Sequence, residues 1–173
     1  MFSTQYKELY TVFQLVFVMK LEASQKLAQE IIEQISPYCE QIEVVGSVRR
    51  KKSEVGDIDL VLIPKQLLWH RIIAALQRTM DAKLVKRGDM IAQLTIKGAS
   101  VDLYVATSET LGPLLLIRTG SAGHNIKLSK RALSKGMKLT HSGLAKDGKI
   151  IASTEKEIFE ALGLSYIEPE KRE

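Results

Sequence analysis

Two aspartates one residue apart, Asp57 and Asp59, open the apolar run 60–63 and constrain the fold more than any other feature of the chain. Side chains alternate between the two faces of a strand, so both carboxylates project from one face where this strand begins. A third carboxylate, Asp102, lies on a short apolar strand 45 positions after Asp57 (102 − 57). If the two strands are neighbours in one sheet, all three carboxylates lie within reach of each other.

Three crowded carboxylates repel one another strongly unless cations separate them, so we expect divalent metals at this site. Nucleotidyl transfer is mostly positioning and charge neutralisation, and two metals ~3.5–4 Å apart clamp the attacking and leaving oxygens. Asp57 and Asp59 can bridge such a pair, and Asp102 is the third ligand. Glu54 and Asp89 fall in predicted turns, where a solvated role is expected instead.

A candidate phosphate site precedes the aspartates, where the apolar run 42–45 ends in Gly46-Ser47. Gly46 lets the backbone approach a phosphate closely, and Ser47 offers a hydroxyl and its own N–H at a helix N-terminus. Arg50 can neutralise a phosphate through its fork of donors. For Arg49 a structural ion pair is an equally good interpretation.

A second polar turn, Thr119-Gly120-Ser121, enters a helix that carries Asn125 one turn in. It could lie against a sugar and a base edge. A simple helix cap by Ser121, stabilising by ~1 kcal/mol, explains the same pattern. Along this helix five cations share one face, which predicts either a surface that tracks a phosphate backbone or a solvated face: Lys127, Lys130, Arg131, Lys135 and Lys138.

The length of 173 residues fits one domain or two small lobes. The formal net charge of +5 permits a nucleic-acid partner. A single cysteine, Cys39, excludes an internal disulfide framework and fits a reducing interior. The apolar segment 11–19 is too short for a membrane span and lacks the flanks of an export signal. We therefore expect a cytoplasmic protein without a membrane partner, and a monomer.

Apolar spacing and turn residues predict an α+β fold with a mixed sheet and helices over 20–106, then a small, mostly helical subdomain over 107–173. Residues 1–19 are predicted as an N-terminal extension or helix. The predicted helices cover 21–35, 67–76, 111–117, 121–135 and 154–162, the last with a capping box at Thr154 and Glu157. The predicted strands cover 42–45, 58–63, 83–87, 90–97 and 101–105, with short strands near 138–139 and 149–152.

Taken together, these motifs resemble the family X DNA polymerases, the polymerase-beta-like branch of the nucleotidyltransferases. The resemblance covers about residues 20–173, and its most specific part is the aspartate motif. The matching stretches are Gly46-Ser47-Val48-Arg49-Arg50, Gly56-Asp57-Ile58-Asp59, Val101-Asp102-Leu103, Thr119-Gly120-Ser121 with Asn125, and the C-terminal segments around 136–144 and 157–173.

The resemblance implies a nucleotidyltransferase palm followed by a small subdomain, called fingers or thumb, that grips the new base pair. Asp57 and Asp59 would bind two Mg²⁺ ions, or Mn²⁺ in their place, and Asp102 the ion that activates a primer 3′-hydroxyl. The implied nucleoside triphosphate site comprises Gly46, Ser47, Arg50, Gly120, Ser121 and Asn125. DNA, as a primer–template or a gapped duplex, would contact Lys127, Lys130 and Arg131.

The chain departs from the family pattern where an aromatic pair often precedes Thr-Gly-Ser, because it has Ile117-Arg118 there. An arginine that often follows the Asn by one turn is replaced by Ser129. Sugar preference and template dependence are therefore open. Three hypotheses stand: a minimal metal-dependent DNA polymerase acting in gap filling or repair, a non-templated nucleotidyltransferase acting on RNA, protein or a small molecule, and a non-catalytic nucleic-acid-binding remnant.

Overall fold

The computed structural model describes residues 18–66 and 68–173. Most of the predicted N-terminal extension or helix lies outside these residues, and so does Leu67. Within them, Met19 begins a two-residue strand that pairs with Glu54 and Val55. No helix in this part of the chain has the length and apolar character needed to cross a bilayer.

The described elements, in chain order, are β1 (Met19–Lys20), α1 (Leu21–Ile35), β2 (Cys39–Val44), α2 (Gly46–Arg49), β3 (Glu54–Val55), β4 (Asp57–Pro64), α3 (Trp69–Met80), β5 (Lys83–Arg87), β6 (Ile91–Ile96), β7 (Ala99–Val105), α4 (Leu111–Thr119), α5 (Ala122–Ser134), β8 (Met137–Thr140), β9 (Gly143–Lys146), β10 (Lys149–Ala152) and α6 (Glu155–Ala161). Short 3₁₀ turns follow α1 and lie near the C-terminus.

Five strands form a mixed sheet in the order β2-β4-β7-β6-β5. Strand β7 runs parallel to β4, whereas the other neighbours in this sheet are antiparallel. A parallel partner requires a crossover connection, which α3 and the β5–β6 hairpin supply. Helices α1 and α3 pack on one face through a core that includes Ile58, Leu60 and Leu62 of β4. The opposite face carries the alternate residues of the same strands.

The C-terminal part contains α4, α5 and α6 around a three-stranded antiparallel sheet, β10-β9-β8. Its buried centre includes Leu116, Leu128, Leu144 and Phe159. Strand β9 was not predicted, because Gly143–Lys146 has only one strongly apolar side chain. A signal was nevertheless present: Asp147-Gly148, both with positive φ, make the two-residue turn that pairs β9 with β10.

A buried ionic network joins the two parts of the chain. Arg49 of α2 donates to both carboxylate oxygens of Glu155, at 3.1 and 2.6 Å, and to the Thr119 hydroxyl at 2.6 Å. Arg172, fully buried, donates to the same carboxylate at 2.7 Å. Burial raises the pKa of Glu155, but the hydrogen bonds from both arginines outweigh that effect and lower it. Arg49 therefore forms a structural ion pair with Glu155, one of the two roles considered for it from the sequence.

We expect Glu155→Gln to destabilise the fold by about 3 kcal/mol, because it leaves two enclosed guanidinium groups without their shared counter-charge. Urea unfolding measured at neutral pH checks this. Glu54→Gln is the matched control, since Glu54 pairs with Lys20 at 3.4 Å on the open surface and should contribute less than about 1 kcal/mol. Equal, small effects of the two substitutions would contradict a structural role for the network.

Candidate active site

The three candidate carboxylates converge because β4 and β7 are paired in parallel. Asp59 lies directly opposite Asp102, and Asp57 lies opposite Ser100, on the face that α1 and α3 leave open. Asp57 is exposed, whereas Asp59 and Asp102 are half-buried. The hydroxyl of Tyr104, two residues after Asp102, contacts Asp102 Oδ2 at 3.2 Å and Asp59 Oδ1 at 3.4 Å. The structure thus brings together all three predicted acids.

Burial and mutual repulsion act on these acids. Burial is the largest cause that raises the pKa of Asp59, to about 7, and the charges of Asp57 and Asp102 raise it further. Although part of Asp57 is exposed, its pKa is also raised, first by partial desolvation of the carboxylate and then by the charge of Asp102, while Arg50 opposes the shift. Ionising all three carboxylates at neutral pH is electrostatically unfavourable, so the cluster strongly attracts positive charge.

Gly46 is required by the acid cluster itself. Its φ of +63° lies in the left-handed region, and a Cβ at this position would overlap the carboxylate of Asp59. The backbone N–H of Val45 also donates to the Asp59 carbonyl at 2.9 Å. The sequence argument placed Gly46 against a phosphate, and the structure adds this close approach to Asp59 on β4.

Ser47 lies in the short helix α2, Arg50 follows the helix directly, and both line the space beside Asp57 and Asp59. The Ser47 hydroxyl and the Arg50 Nε are both buried, and neither has a hydrogen-bond partner in the described structure. Arg50 Nη1 donates to the Thr119 carbonyl, which holds the guanidinium beneath the turn at Gly120. Both side chains keep donor atoms available for a further acceptor.

The residues predicted at the second turn approach from the C-terminal part. Ser121 caps α5 by accepting from the His124 N–H at 3.2 Å, so the cap interpretation holds for this side chain. Asn125 donates to the Ile117 carbonyl at 2.8 Å, and its Oδ1 is buried without a partner in the described residues. Gly120 has a φ of +69°.

One pocket of about 290 Å³ gathers the predicted nucleotide site: Gly46, Ser47, Arg50, Gly120, Ser121 and Asn125 all line it, together with Asp57 and Asp59. Asp102 lines a separate cleft of about 190 Å³ on the β6 side. A larger cleft of about 330 Å³ between α1 and α2 has no acidic side chain in its lining and lies apart from this chemistry. The three carboxylates therefore lie between the 290 Å³ nucleotide pocket and the 190 Å³ cleft beside β6.

Carboxylate oxygens are the ligands that Mg²⁺ and Mn²⁺ prefer, and Asp102 Oδ1 is buried without a hydrogen-bond partner in the described structure. The residues present fit divalent cations in chemistry and charge. Within residues 18–66 and 68–173, however, no three acidic, His or Cys side chains already surround one point closely enough to hold an ion. The Tyr104 hydroxyl occupies acceptor sites on two of the acids, so a bound ion requires side-chain rotation.

Comparison with known proteins agrees with this geometry. The family profile described as the DNA polymerase beta palm matches residues 19–110, and the one described as the DNA polymerase beta thumb matches residues 114–173. The chain belongs to the polymerase beta family, the family X DNA polymerases.

Individual relatives give the same picture. The repair DNA polymerase X of African swine fever virus (isolate Warthog/Namibia) is 29% identical over 140 residues, which are 76% of this chain and 80% of the viral protein. The Bacillus subtilis DNA polymerase/3′-5′ exonuclease PolX is 29% identical over 160 residues, 86% of this chain but 27% of that protein. Polymerase beta from Leishmania infantum, solved as a ternary P/T complex, superposes with a TM-score of 0.81 over 96% of this chain and 80% of that one, at 18% identity, which shows the shared fold.

Family X polymerases are metal-dependent enzymes, as the acid cluster predicts. This chain's own departure lies at Arg118, whose guanidinium stacks 3.9 Å from the centre of the Tyr104 ring. Sequence reasoning singled out Arg118 but missed Tyr104. The signal was available, because a residue two positions after Asp102 on a strand shares its face.

Of the five cations predicted on one helix face, Lys127, Lys130 and Arg131 lie on α5 and are exposed, whereas α5 ends at Ser134, so Lys135 follows the helix and Lys138 lies in β8. Two of the three on α5 already have contacts. Arg131 Nε donates to the Leu162 carbonyl at 3.0 Å, and Lys127 Nζ contacts the C-terminal Glu173 carbonyl oxygen at 3.4 Å. Lys130 has no hydrogen bond or salt bridge to the described residues. The role of this face in nucleic-acid binding stays a prediction.

The raised carboxyl pKa values predict how stability depends on pH. A folded-state pKa above the unfolded value of about 4 makes ionisation destabilising, so metal-free stability falls between about pH 4 and pH 7. Asp59→Asn should therefore stabilise the metal-free protein by roughly 1–2 kcal/mol above pH 7 and by almost nothing below pH 4. Denaturant unfolding with chelator at pH 4 and pH 8 measures this, and a gain that is equal at both values contradicts it.

Proposed function

We propose that this chain is a metal-dependent DNA polymerase that adds nucleotides to a primer 3′-hydroxyl in gap filling or repair, working as a monomer in the cytoplasm. The observation that carries the proposal is the parallel pairing that collects three carboxylates beside a pocket rich in phosphate donors. The 3′-hydroxyl loses its proton to solvent, its oxygen forms a bond to the α-phosphorus, and the bond from that phosphorus to the oxygen bridging to the β-phosphate breaks. Pyrophosphate leaves.

Asp57, Asp59 and Asp102 are the proposed metal ligands. When bound, two Mg²⁺ ions supply charge neutralisation at the attacking and leaving oxygens. The three side chains reach the two spaces unequally, since Asp57 and Asp59 line the nucleotide pocket and Asp102 lines the neighbouring cleft. This division favours a triphosphate in the first space and a primer terminus in the second.

The chain's remaining polar groups are proposed to orient the nucleotide. The partnerless hydroxyl of Ser47 and the Nε of Arg50 supply donors for the non-reacting phosphates. Gly120 and Ser121 form the surface under the sugar, and the free Oδ1 and half-buried amide of Asn125 face the base edge. Positioning by several weak contacts is what this reaction class requires.

DNA is the proposed polymeric partner, consistent with the formal net charge of +5. Lys127, Lys130 and Arg131 lie on α5, whose N-terminus enters the nucleotide pocket at Ala122 and Asn125. Cations on that helix can contact backbone phosphates next to the active site. Binding through such contacts weakens steeply with salt.

Primer extension with Mg²⁺ or Mn²⁺ tests the function directly, comparing gapped template–primer with lone primer and dNTPs with rNTPs. We expect template-directed extension that is strongest on gapped DNA, because both spaces beside the carboxylates are then filled. The dNTP-to-rNTP ratio reports what Arg118 does in the position where relatives often carry an aromatic residue. Extension of a lone primer, with no dependence on template, would instead support the non-templated transferase.

Asp57→Asn should reduce the extension rate by more than about a thousandfold, because it removes a charged metal ligand while leaving the sheet intact. Circular dichroism and thermal unfolding confirm that the variant is folded. Asp89→Asn is a matched control, since Asp89 lies in the β5–β6 turn. Retained turnover in Asp57→Asn would remove this residue from the proposed metal site.

A further inference from the structure

The open face of the five-stranded sheet continues past the catalytic carboxylates. Strand β6 alternates strictly: Ala92, Leu94 and Ile96 are fully buried in the core, whereas Gln93 and Thr95 are half-exposed on the side of Asp102. All five residues of the edge strand β5 are exposed. A polar surface therefore extends from the acid cluster to the sheet edge.

Cross-strand register aligns this surface into rows. Asp59 lies opposite Asp102, Asp102 opposite Gln93, and Gln93 opposite Lys86, which makes one row across four strands. A second row, beside the first, contains Asp57, Ser100, Thr95 and Lys83. We call these eight residues the open-face rows. Each begins with a candidate metal ligand and ends with a lysine.

A bulge in β5 places both lysines on this face. Lys83 and Lys86 are three residues apart, a spacing that in a regular strand directs side chains to opposite faces. The register shifts between Leu84 and Lys86, which leaves one extra residue, Val85, without a partner on β6. Because of this extra residue, Lys83 and Lys86 lie on the same face of the sheet. Arg87, the next residue, pairs with the core-facing Ala92 and so belongs to the other face.

The first row also lines a concave surface. Lys86, Gln93 and Asp102 contribute to the cleft of about 190 Å³ that lies beside the nucleotide pocket. Lys83 and Lys86 form no salt bridge with any described residue. The amide of Gln93 makes only a 3.5 Å contact with the Ser100 hydroxyl. Cations and amide donors on this face are thus available to an anionic ligand.

We propose that the open-face rows bind the sugar–phosphate backbone of the primer strand behind its 3′ end, with Lys86 and Gln93 as positioning residues. This inference rests on the proposed polymerase function, because it takes the terminus to lie at Asp102. The charges of the rows match a single anionic strand. The acids at one end would hold metal ions at the reacting 3′ end, and the lysines at the other end would contact the phosphates of the preceding nucleotides. Within the first row, the cleft runs from Asp102 to Lys86.

The strand spacing sets which phosphates are involved. Strands lie about 4.8 Å apart, so Lys86 is about 10 Å from Asp102 along the row. The rise along the axis of duplex DNA is about 3.4 Å per nucleotide and the backbone path is longer, so this distance spans at most about three nucleotides from the terminus. Lys86 therefore contacts the second or third internucleotide linkage, and Gln93 the linkage next to the terminal nucleotide.

Binding to primer–template DNA, without metal or nucleotide, is the test. Fluorescence anisotropy against salt should show that Lys86→Gln weakens binding about 3- to 10-fold and lowers the salt slope by about one unit. Lys83→Gln should act in the same direction. Arg87→Gln is the matched control on the same strand, and it should leave affinity and slope unchanged because it removes an equal charge from the other face.

Neutral methylphosphonate linkages, introduced one at a time at the first four primer linkages, locate the contact. The wild type should lose affinity at the second or third linkage, and Lys86→Gln should lose nothing further there. Additive losses at all four linkages, or equal effects of Lys86→Gln and Arg87→Gln, overturn the proposal. Wild-type extension of the unmodified primer is scored separately: its absence contradicts the polymerase function, while the linkage pattern still decides whether the rows bind the strand.

Discussion

The parallel pairing of β4 with β7 is the constraint on which the rest of the site depends. It sets Asp59 opposite Asp102, and the crossover between these strands carries α3 and the β5–β6 hairpin that complete the sheet. If this register shifted by one residue, the acids of one of the two strands would point into the core cluster that contains Ile58 and Leu60. The hydrophobic alternation of both strands prevents that shift, so the packing of one face determines the chemistry of the other.

Adjacent arginines at the end of the four-residue helix α2, Arg49 and the C-cap residue Arg50, link the two parts of the chain in different ways. Arg49 contacts Glu155 and Thr119, whereas Arg50 donates to the Thr119 carbonyl and lines the nucleotide pocket. Both side chains therefore converge on the last residue of α4. The turn that follows, at Gly120, lines the nucleotide pocket. Two neighbouring residues thus have different roles, because Arg49 holds the two parts of the chain together and Arg50 lines the nucleotide pocket.

The sequence predicted most of this arrangement because its signals are periodic or local. Alternation placed Asp57 and Asp59 on one face, and the capping box at Thr154 and Glu157 marked the start of α6. The β5 bulge could not be predicted, since it depends on pairing with β6, and without it Lys83 and Lys86 read as residues of opposite faces. Tyr104 was overlooked because an aromatic residue in an apolar strand is usually part of a core, and most of its ring is buried here.

Tyr104 explains why the acids are gathered but not yet arranged around an ion. Its hydroxyl contacts two carboxylates, and Arg118 stacks on the ring, so positive charge lies near the cluster without entering it. Burial of the phenol raises its pKa, and the charges of Asp59 and Asp102 raise it further, which keeps the hydroxyl protonated and able to donate. The cluster is thus stabilised by the Tyr104 hydroxyl and by the nearby charges of Arg118 and Arg50. Divalent ions can replace both effects at once, since they neutralise the repulsion directly and satisfy the buried oxygen of Asp102.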